Sequence, residues 1–302
     1  MIPAPQRNCY PKQRNRIVIV ASSSARGATS EQADCVLLSA TGVNKLPNSS
    51  GNGGEKPRLD DSPPNISVVI PLFNEVENIR AVLDEMKVAL RGAAYEIICV
   101  DDGSQDGTIE AVREIAKLDP RVLGVCLTRN YGQTAALMAG VDHARGKIIV
   151  SIDGDGQNDP ADIPRLIEML GKGYDVVSGW RVDRHDAWAR VVLSRAANWM
   201  ASRVAGVRLH DFGCTLKAYR REVLQGVRLY GELHRFVPIF SSWEGGRIVE
   251  LPVNHRERKN GESKYGYGRI VKVALDLILI RYLYRYMHRP LHLFGGVGLS
   301  LT

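Results

Sequence analysis

The sequence has no two cysteines at CxxC spacing, and its five cysteines, Cys9, Cys35, Cys99, Cys126 and Cys214, are odd in number. That argues against a zinc site. Cys99 and Cys126 lie inside apolar runs, the use a reducing compartment makes of cysteine as a small hydrophobe. The N-terminus lacks a secretory signal, because its apolar run, Ile17 to Ala21, is too short for an h-region. Even the apolar C-terminal stretch has no window of about 18 residues free of charge, so it reads poorly as a spanning helix. Aromatic side chains interleaved with basic ones on one face are also missing, which argues against nucleic acid as a partner.

What is present is a core-forming composition. Of 302 residues, 44% are hydrophobic and 24% charged, with a formal net charge of +7. This suits a globular domain with an anionic partner: a phosphate ester or an acidic lipid surface. Residues 1–64 are rich in Ser, Asn, Gly, Pro and Arg, show no sustained period, and read as a disordered segment. From Ile66 onward the pattern changes. Short β-branched runs at Ile66–Pro71, Tyr95–Asp101, Val122–Leu127, Lys147–Asp153 and Tyr174–Gly179 predict buried strands. Helical spacing predicts helices over 77–91, 108–117, 133–144 and 162–170, and a further strand is read at Ile248–Val253. Strands alternating with helices mean an α/β fold, a mostly parallel sheet with helices on both faces. In such sheets, ligands bind beyond the carboxyl ends of the strands.

The residues at those ends are therefore the candidate site. Asp153 and Asp155 stand one residue apart in DGDGQND, and Gln157 offers another oxygen at the same step. Oxygen ligands beside a phosphate substrate suit Mg²⁺ or Mn²⁺. Asp101 and Asp102 end the second strand, where a carboxylate could accept the imide N–H of a uracil. Pro71, Phe73 and Glu75 end the first strand and offer a wall for a nucleoside. Arg181, Arg184, Arg190 and Arg195, with Ser194 among them, follow the fifth strand, and guanidinium forks suit phosphate. Arg256, Arg258, Lys259 and Lys264 form a basic loop able to close over a diphosphate. Farther on, Arg281, Arg285 and Arg289 make an i, i+4 stripe. With Tyr282, Tyr284 and Tyr286 at the interface, they predict amphipathic juxtamembrane helices over 267–289. An apolar run over 290–302 reads as the start of a membrane helix.

Several stretches resemble a known family: RNYGQTAALMAGVDHARG (Arg129 to Gly146), DGDGQNDP (Asp153 to Pro160), VSGWR (Val177 to Arg181), HDFGCTLKAYRR (His210 to Arg221) and the NGESKYG loop. From Ile66 to Thr302 the chain is similar to inverting family-2 glycosyltransferases of the polyprenyl-phosphate type. The resemblance implies a GT-A fold, with a catalytic domain over 65–266. It implies that Asp155 and Gln157 bind the metal, and that Asp153, Asp102, Pro71 and Glu75 hold the nucleotide. It also implies that Arg181, Arg190 and Ser194 take the acceptor phosphate, while Arg258 and Lys264 contact the donor as a lid. The expected reaction moves one sugar from a nucleotide-sugar, UDP-sugar favoured, to undecaprenyl phosphate or a related lipid, with inversion. The expected place is the cytoplasmic face of the inner membrane, for a cell-envelope glycan or lipid modification. Self-association into a homo-oligomer is compatible with the sequence.

Alternatives are a GDP-mannose-dependent enzyme like dolichyl-phosphate mannosyltransferase, and an inactive nucleotide-binding scaffold at the membrane surface. A processive polysaccharide synthase would be expected to show QxxRW after the DxD motif. A nucleotidyltransferase would be expected to have a glycine-rich basic loop after the first strand. Neither motif is present.

Overall fold

The computed structural model describes residues 17–20, 36–37, 64–182, 202, 207–224, 229, 231–257, 275–276, 278–282 and 298. Among these residues, nine strands make one sheet: β1 (Ile17–Val20), β2 (Val36–Leu37), β3 (Ile66–Leu72), β4 (Tyr95–Asp101), β5 (Val122–Leu127), β6 (Ile148–Ser151), β7 (Val176–Arg181), β8 (Lys217–Arg220) and β9 (Ile248–Val253). Their order is β2-β1-β5-β4-β3-β6-β8-β7-β9. The central strands β5, β4, β3 and β6 run parallel, and so do β7 and β9. β8 is antiparallel to both β6 and β7 and joins the two parallel halves. β1 pairs antiparallel with β5, so the segment read as disordered contributes β1 and β2 to this edge.

Alternation along the strands splits the core in two. Ile66, Val68, Ile70 and Leu72 of β3, with Ile97 and Cys99 of β4, face one side; Val69, Ile98 and Val100 face the other. Three helices cover the first face: α1 (Val76–Ala89), α2 (Thr108–Leu118) and α4 (Ile163–Gly171). They insert Ile79, Leu83, Met86, Val112, Ile115 and Leu166. The second face is covered by α3 (Gln133–His143) and α5 (Val237–Trp243), through Ala136, Leu137, Met138, Val237 and Ile239. Each fully buried Ile, Leu or Met contributes about 1.5–3 kcal/mol. The approach of α3 to the sheet is close, because a Cβ on Gly140 would lie 2.2 Å from Val69 Cγ1.

The α/β layering read from the sequence is the layering observed. Most of residues 267–302 lie outside the described residues. Within that stretch, residues 278–282 are helical, with Ile280 buried and Ile278 exposed. Among the described residues, no helix is long and apolar enough to cross a membrane.

Candidate active site at the carboxyl edge of the sheet

The parallel strands deliver Pro71 and Leu72, Asp101 and Asp102, and Asp153 to one edge. The loops after β3 and β4 are zipped together by side chains. Asn74 N–H donates to Ser104 Oγ at 2.8 Å, and Glu75 N–H to Thr108 Oγ1 at 2.9 Å. Gln105 N–H donates to Asn74 Oδ1 at 2.9 Å, and Asn74 itself has a left-handed backbone with φ 54°. Asp106 accepts from Val76 N–H and Thr108 N–H, so one carboxylate serves the first turns of α1 and α2. Much of SQDGT is therefore loop architecture. Glu75 accepts from Asn78 Nδ2 at 2.8 Å, and Phe73 is half-buried in the same loop.

The two successive acids differ. Asp102 accepts Tyr131 N–H at 2.7 Å and Gly132 N–H at 2.8 Å, one on each oxygen, and so pins the loop that opens α3. Each oxygen keeps a further lone pair for a ligand. Asp101 Oδ2 accepts Ser104 N–H at 3.2 Å, while its Oδ1 is buried without a partner in the structure. Burial pushes both carboxyls above the usual carboxylate range, and the loop amides oppose it. The close pass of this loop over β4 is possible because residue 103 is glycine: a Cβ there would meet Arg129 C at 2.6 Å.

Asp153 follows β6. Gln133 Nε2, at the first residue of α3, donates to its Oδ1 at 2.6 Å, and the Thr215 hydroxyl also bonds it. Burial, then the neighbouring Asp155 charge, push its carboxyl up to about 7, while Arg181 and Arg235 pull it down. Asp155 Oδ1 accepts Gln157 N–H at 3.1 Å. Gly154 makes room for a side chain rather than for a ligand, since its Cβ would fall 2.3 Å from Leu72 Cδ2. Gly156 supplies the left-handed turn, with φ 73°.

The end of β9 clamps this turn. Arg256 N–H donates to Gln157 O at 2.8 Å, and the Arg256 guanidinium bonds Glu85 at 2.7 Å and Asp159 at 2.8 Å. Arg256, read as part of a diphosphate lid, is instead a brace between α1 and the acidic turn.

Among the described residues, no three His, Cys, Asp or Glu side chains form a metal cage. A pair of close carboxylates, one of them disfavoured as an anion by burial and by the other, nevertheless fits a hard divalent cation. Such an ion takes its remaining ligands from phosphate and water.

Arg181, at the end of β7, makes a two-pronged pair with Asp211, Nε to Oδ2 at 2.7 Å and Nη2 to Oδ1 at 3.0 Å. Burial pulls its guanidinium down, but Asp211 outweighs that and holds it above its ordinary value. Glu250 on β9 in turn accepts from His210 N–H and Asp211 N–H, and the His210 ring stacks on Trp180 at 4.4 Å.

Beneath Asp153 lies a cavity of about 10 Å³, lined in part by Gln133, Ser151, Lys217 and His234, room for about one water. Lys217 is 1% exposed and donates to Phe212 O at 3.1 Å and Arg235 O at 3.5 Å. Thr134 Oγ1 donates to Gly231 O at 2.5 Å, so its contact with His234 Nδ1 at 2.6 Å makes the imidazole the donor there. Burial pushes the His234 pKa well below 6.5, so the ring is neutral near pH 7 and, with its proton on Nδ1, its Nε2 is a buried acceptor without a partner in the structure.

Burial also pushes the Lys217 ammonium down from 10.5 to about 8. Below pH 8 it is charged in folded and unfolded protein alike, and its burial opposes folding in full. Between pH 8 and 10.5 the folded protein has released a proton that the unfolded chain keeps, so this contribution grows more favourable as pH rises. Lys217→Met removes it. Over that window wild type is expected to gain about 3 kcal/mol on the variant in urea unfolding, at about 1.4 kcal/mol per pH unit. Parallel stability curves would show that the ammonium is not destabilised.

Residues 67–228 match the family described as glycosyl transferase family 2. The chain is 42% identical over 246 residues to a dodecaprenyl-phosphate galacturonate synthase of Rhizobium johnstonii, covering 78% of this chain and 72% of that protein. The chain belongs to glycosyl transferase family 2. This glycosyltransferase is also 41% identical over 235 residues to an undecaprenyl-phosphate 4-deoxy-4-formamido-L-arabinose transferase of Edwardsiella ictaluri, covering 77% of the chain and 72% of that protein. Among solved structures it resembles glucosyl-3-phosphoglycerate synthase from Mycobacterium tuberculosis in complex with Mn²⁺, UDP-glucose and phosphoglyceric acid. The TM-score is 0.56 at 23% identity, over 72% of this chain and 79% of that one. The shared fold is the GT-A type.

Of the residues expected to work in this glycosyltransferase, Pro71, Phe73, Glu75, Asp101, Asp102, Asp153, Asp155, Gln157 and Arg181 all lie at or just beyond strand ends on the carboxyl side. Arg190, Ser194, Arg258 and Lys264 lie outside the described residues. Gln133, Thr215, Arg235, Asp211 and Lys217 were not singled out individually from the sequence. All except Arg235 fall within the stretches RNYGQTAALMAGVDHARG and HDFGCTLKAYRR that carry the resemblance.

Proposed function

We propose that this glycosyltransferase moves one sugar from a nucleotide-sugar, with a UDP-sugar favoured, to a polyprenyl phosphate, inverting the anomeric carbon, at the cytoplasmic face of a membrane. The observation that carries this reading is that two relatives of about equal identity are named for different sugars and for the same acceptor class. The acceptor is what they have in common, so it is the part of the reaction assigned here, and the sugar is left to experiment.

The site suits such a reaction. A phosphate acceptor is already an anion and needs no strong base to become a nucleophile. What remains is alignment behind the anomeric carbon and stabilisation of the departing diphosphate. Asp155, Asp153 and Gln157 would hold Mg²⁺ or Mn²⁺, which when bound supplies positive charge to that diphosphate. Gln133 and Thr215 fix the Asp153 carboxylate. Asp102 holds the loop at the mouth of the nucleotide cleft, and Asp211 holds the Arg181 fork ready for an oxyanion.

The test is incubation of the full chain with Mn²⁺ or Mg²⁺, undecaprenyl phosphate and a panel of UDP- and GDP-sugars, scoring glycolipid and released nucleoside diphosphate. Glycolipid from one donor is expected. Metal-dependent nucleotide binding without any glycolipid would overturn the acceptor assignment, and absence of nucleotide binding would overturn the reading as a whole.

A further inference from the structure

The acidic turn after β6 closes on a single hydroxyl from another part of the chain. Thr215 lies just before β8. Its hydroxyl bonds the Asp153 carboxylate at the start of the turn, and its Oγ1 accepts Asn158 Nδ2 at 3.0 Å at the turn's far end. Thr215 O separately accepts the Ser151 hydroxyl at 2.7 Å, so the residue is tied to β6 through its main chain. The direction of its own hydroxyl is left to the two side-chain partners.

A threonine hydroxyl has one hydrogen, and an ionised carboxylate can only accept. The hydrogen therefore points to Asp153, and a lone pair faces Asn158. The Asn158 amide meets that lone pair with an N–H. Its other end agrees, because Oδ1 lies 4.0 Å from the Cys214 thiol, a weak donor. With the amide turned round, Asn158 Oδ1 and the Asp153 carboxylate would claim the same hydrogen, and one of them would face a lone pair.

Asn158 is 4% exposed. The backbone around it has anchors of its own: residue 158 bridges His255, and Gln157 O accepts Arg256 N–H at 2.8 Å. The course of the turn does not depend on the Asn158 side chain. What that side chain adds is the orientation of one hydroxyl at Asp153, whose Oδ1 already takes Gln133 Nε2. Two donors from different parts of the chain then fix the plane of the carboxylate.

We propose that Asn158 is a positioning residue of the metal site: it turns the Thr215 hydroxyl onto Asp153 and so holds that carboxylate ready for a divalent cation. The inference rests on the reading of Asp153 and Asp155 as metal ligands above. It goes beyond that reading by assigning a residue that acts only through another side chain.

Calorimetric titration of Mn²⁺ into the UDP-loaded full chain reads this role without requiring sugar transfer. Asn158→Leu and Thr215→Val are each expected to weaken Mn²⁺ binding by about 10-fold, the scale of partners that orient a metal-binding carboxylate. Thr215→Ser keeps a hydroxyl and should recover most of what valine loses. The double variant decides between coupling and coincidence. Because Asn158 acts through Thr215, Asn158→Leu should add almost nothing in the Thr215→Val background, whereas independent effects would multiply to about 100-fold. Asn158→Ala repeats the measurement without the bulk of leucine.

Wild-type Mn²⁺ affinity in both Asn158 variants overturns the proposal, whatever happens to the melting temperature, and so does a multiplicative loss in the double variant. Either result leaves the transfer reading standing while wild type makes glycolipid. If wild type binds Mn²⁺ and UDP but makes no glycolipid, the acceptor assignment fails alone and the same titrations still judge Asn158. If wild type binds no Mn²⁺ with UDP, the metal assignment falls and the positioning role falls with it.

Discussion

Asp155→Ala is expected to lower glycolipid formation by about 10³-fold or more while leaving the apo protein at least as stable as wild type. The two halves of that expectation come from one geometry. Asp155 is half-exposed, and its Oδ1 accepts the Gln157 amide in a turn already held by Arg256. Its charge also pushes the Asp153 carboxyl up, so without a cation the two acids oppose each other. Removing one relieves the other, and the fold loses little. With a divalent ion and nucleotide the sign reverses. Ligands that bind the folded state raise its melting temperature by mass action, by an increment equivalent to about 2.7 kcal/mol at a hundredfold excess over Kd. Wild type should show that rise with Mn²⁺ and UDP together, and lose it with a chelator. Asp155→Ala should show almost none. Thermal melts with and without Mn²⁺ and UDP check this beside the transfer assay. An equal rise in the variant would place the metal elsewhere.

Asp155 and Asp153 were legible because the DxD pair follows a run, KIIVSID, that has no plausible reading except a buried strand. Knowing where the strand ends is knowing where the sheet edge lies. The same logic placed Asp101, Asp102 and Glu75. It did not reveal that Asp102 turns back to hold the amides of Tyr131 and Gly132, because that contact spans 29 and 30 residues and leaves no local period. β8 was missed for a related reason. KAYR has four residues, two of them basic, and Lys217 is inside the protein while the pattern says it should be outside. Its position is set by carbonyls of Phe212 and Arg235, which no periodicity records. Arg256 shows the converse error. A basic residue near other basic residues invites a ligand, yet Glu85 and Asp159 already take it. Motif position was readable from one-dimensional pattern, whereas the partner of each charge depended on contacts across the sheet.

Arg181 is where those two kinds of information meet, and its replacement should cost the most stability of any change at the site. Arg181→Met takes the two-pronged guanidinium away from Asp211, a carboxylate 2% exposed that also accepts the Gly213 amide at 3.0 Å. Breaking one side of such a pair costs about 3–5 kcal/mol, a fall of roughly 10 °C in melting temperature for a domain of this size. Asp153 loses a neighbouring cation at the same time. Transfer should therefore drop by about 100-fold or more even at temperatures where the variant is folded.

The double variant Arg181→Met with Asp211→Leu separates the two effects. It removes the stranded charge, so its melting temperature should lie above that of Arg181→Met, because replacing a buried pair by apolar groups of similar size is often neutral. Its transfer rate should stay as low as in the single variant, since the guanidinium is still absent. Recovery of activity along with stability would mean that Arg181 only holds the 207–216 loop in place. Additive losses in melting temperature would mean that Arg181 and Asp211 do not act as a pair.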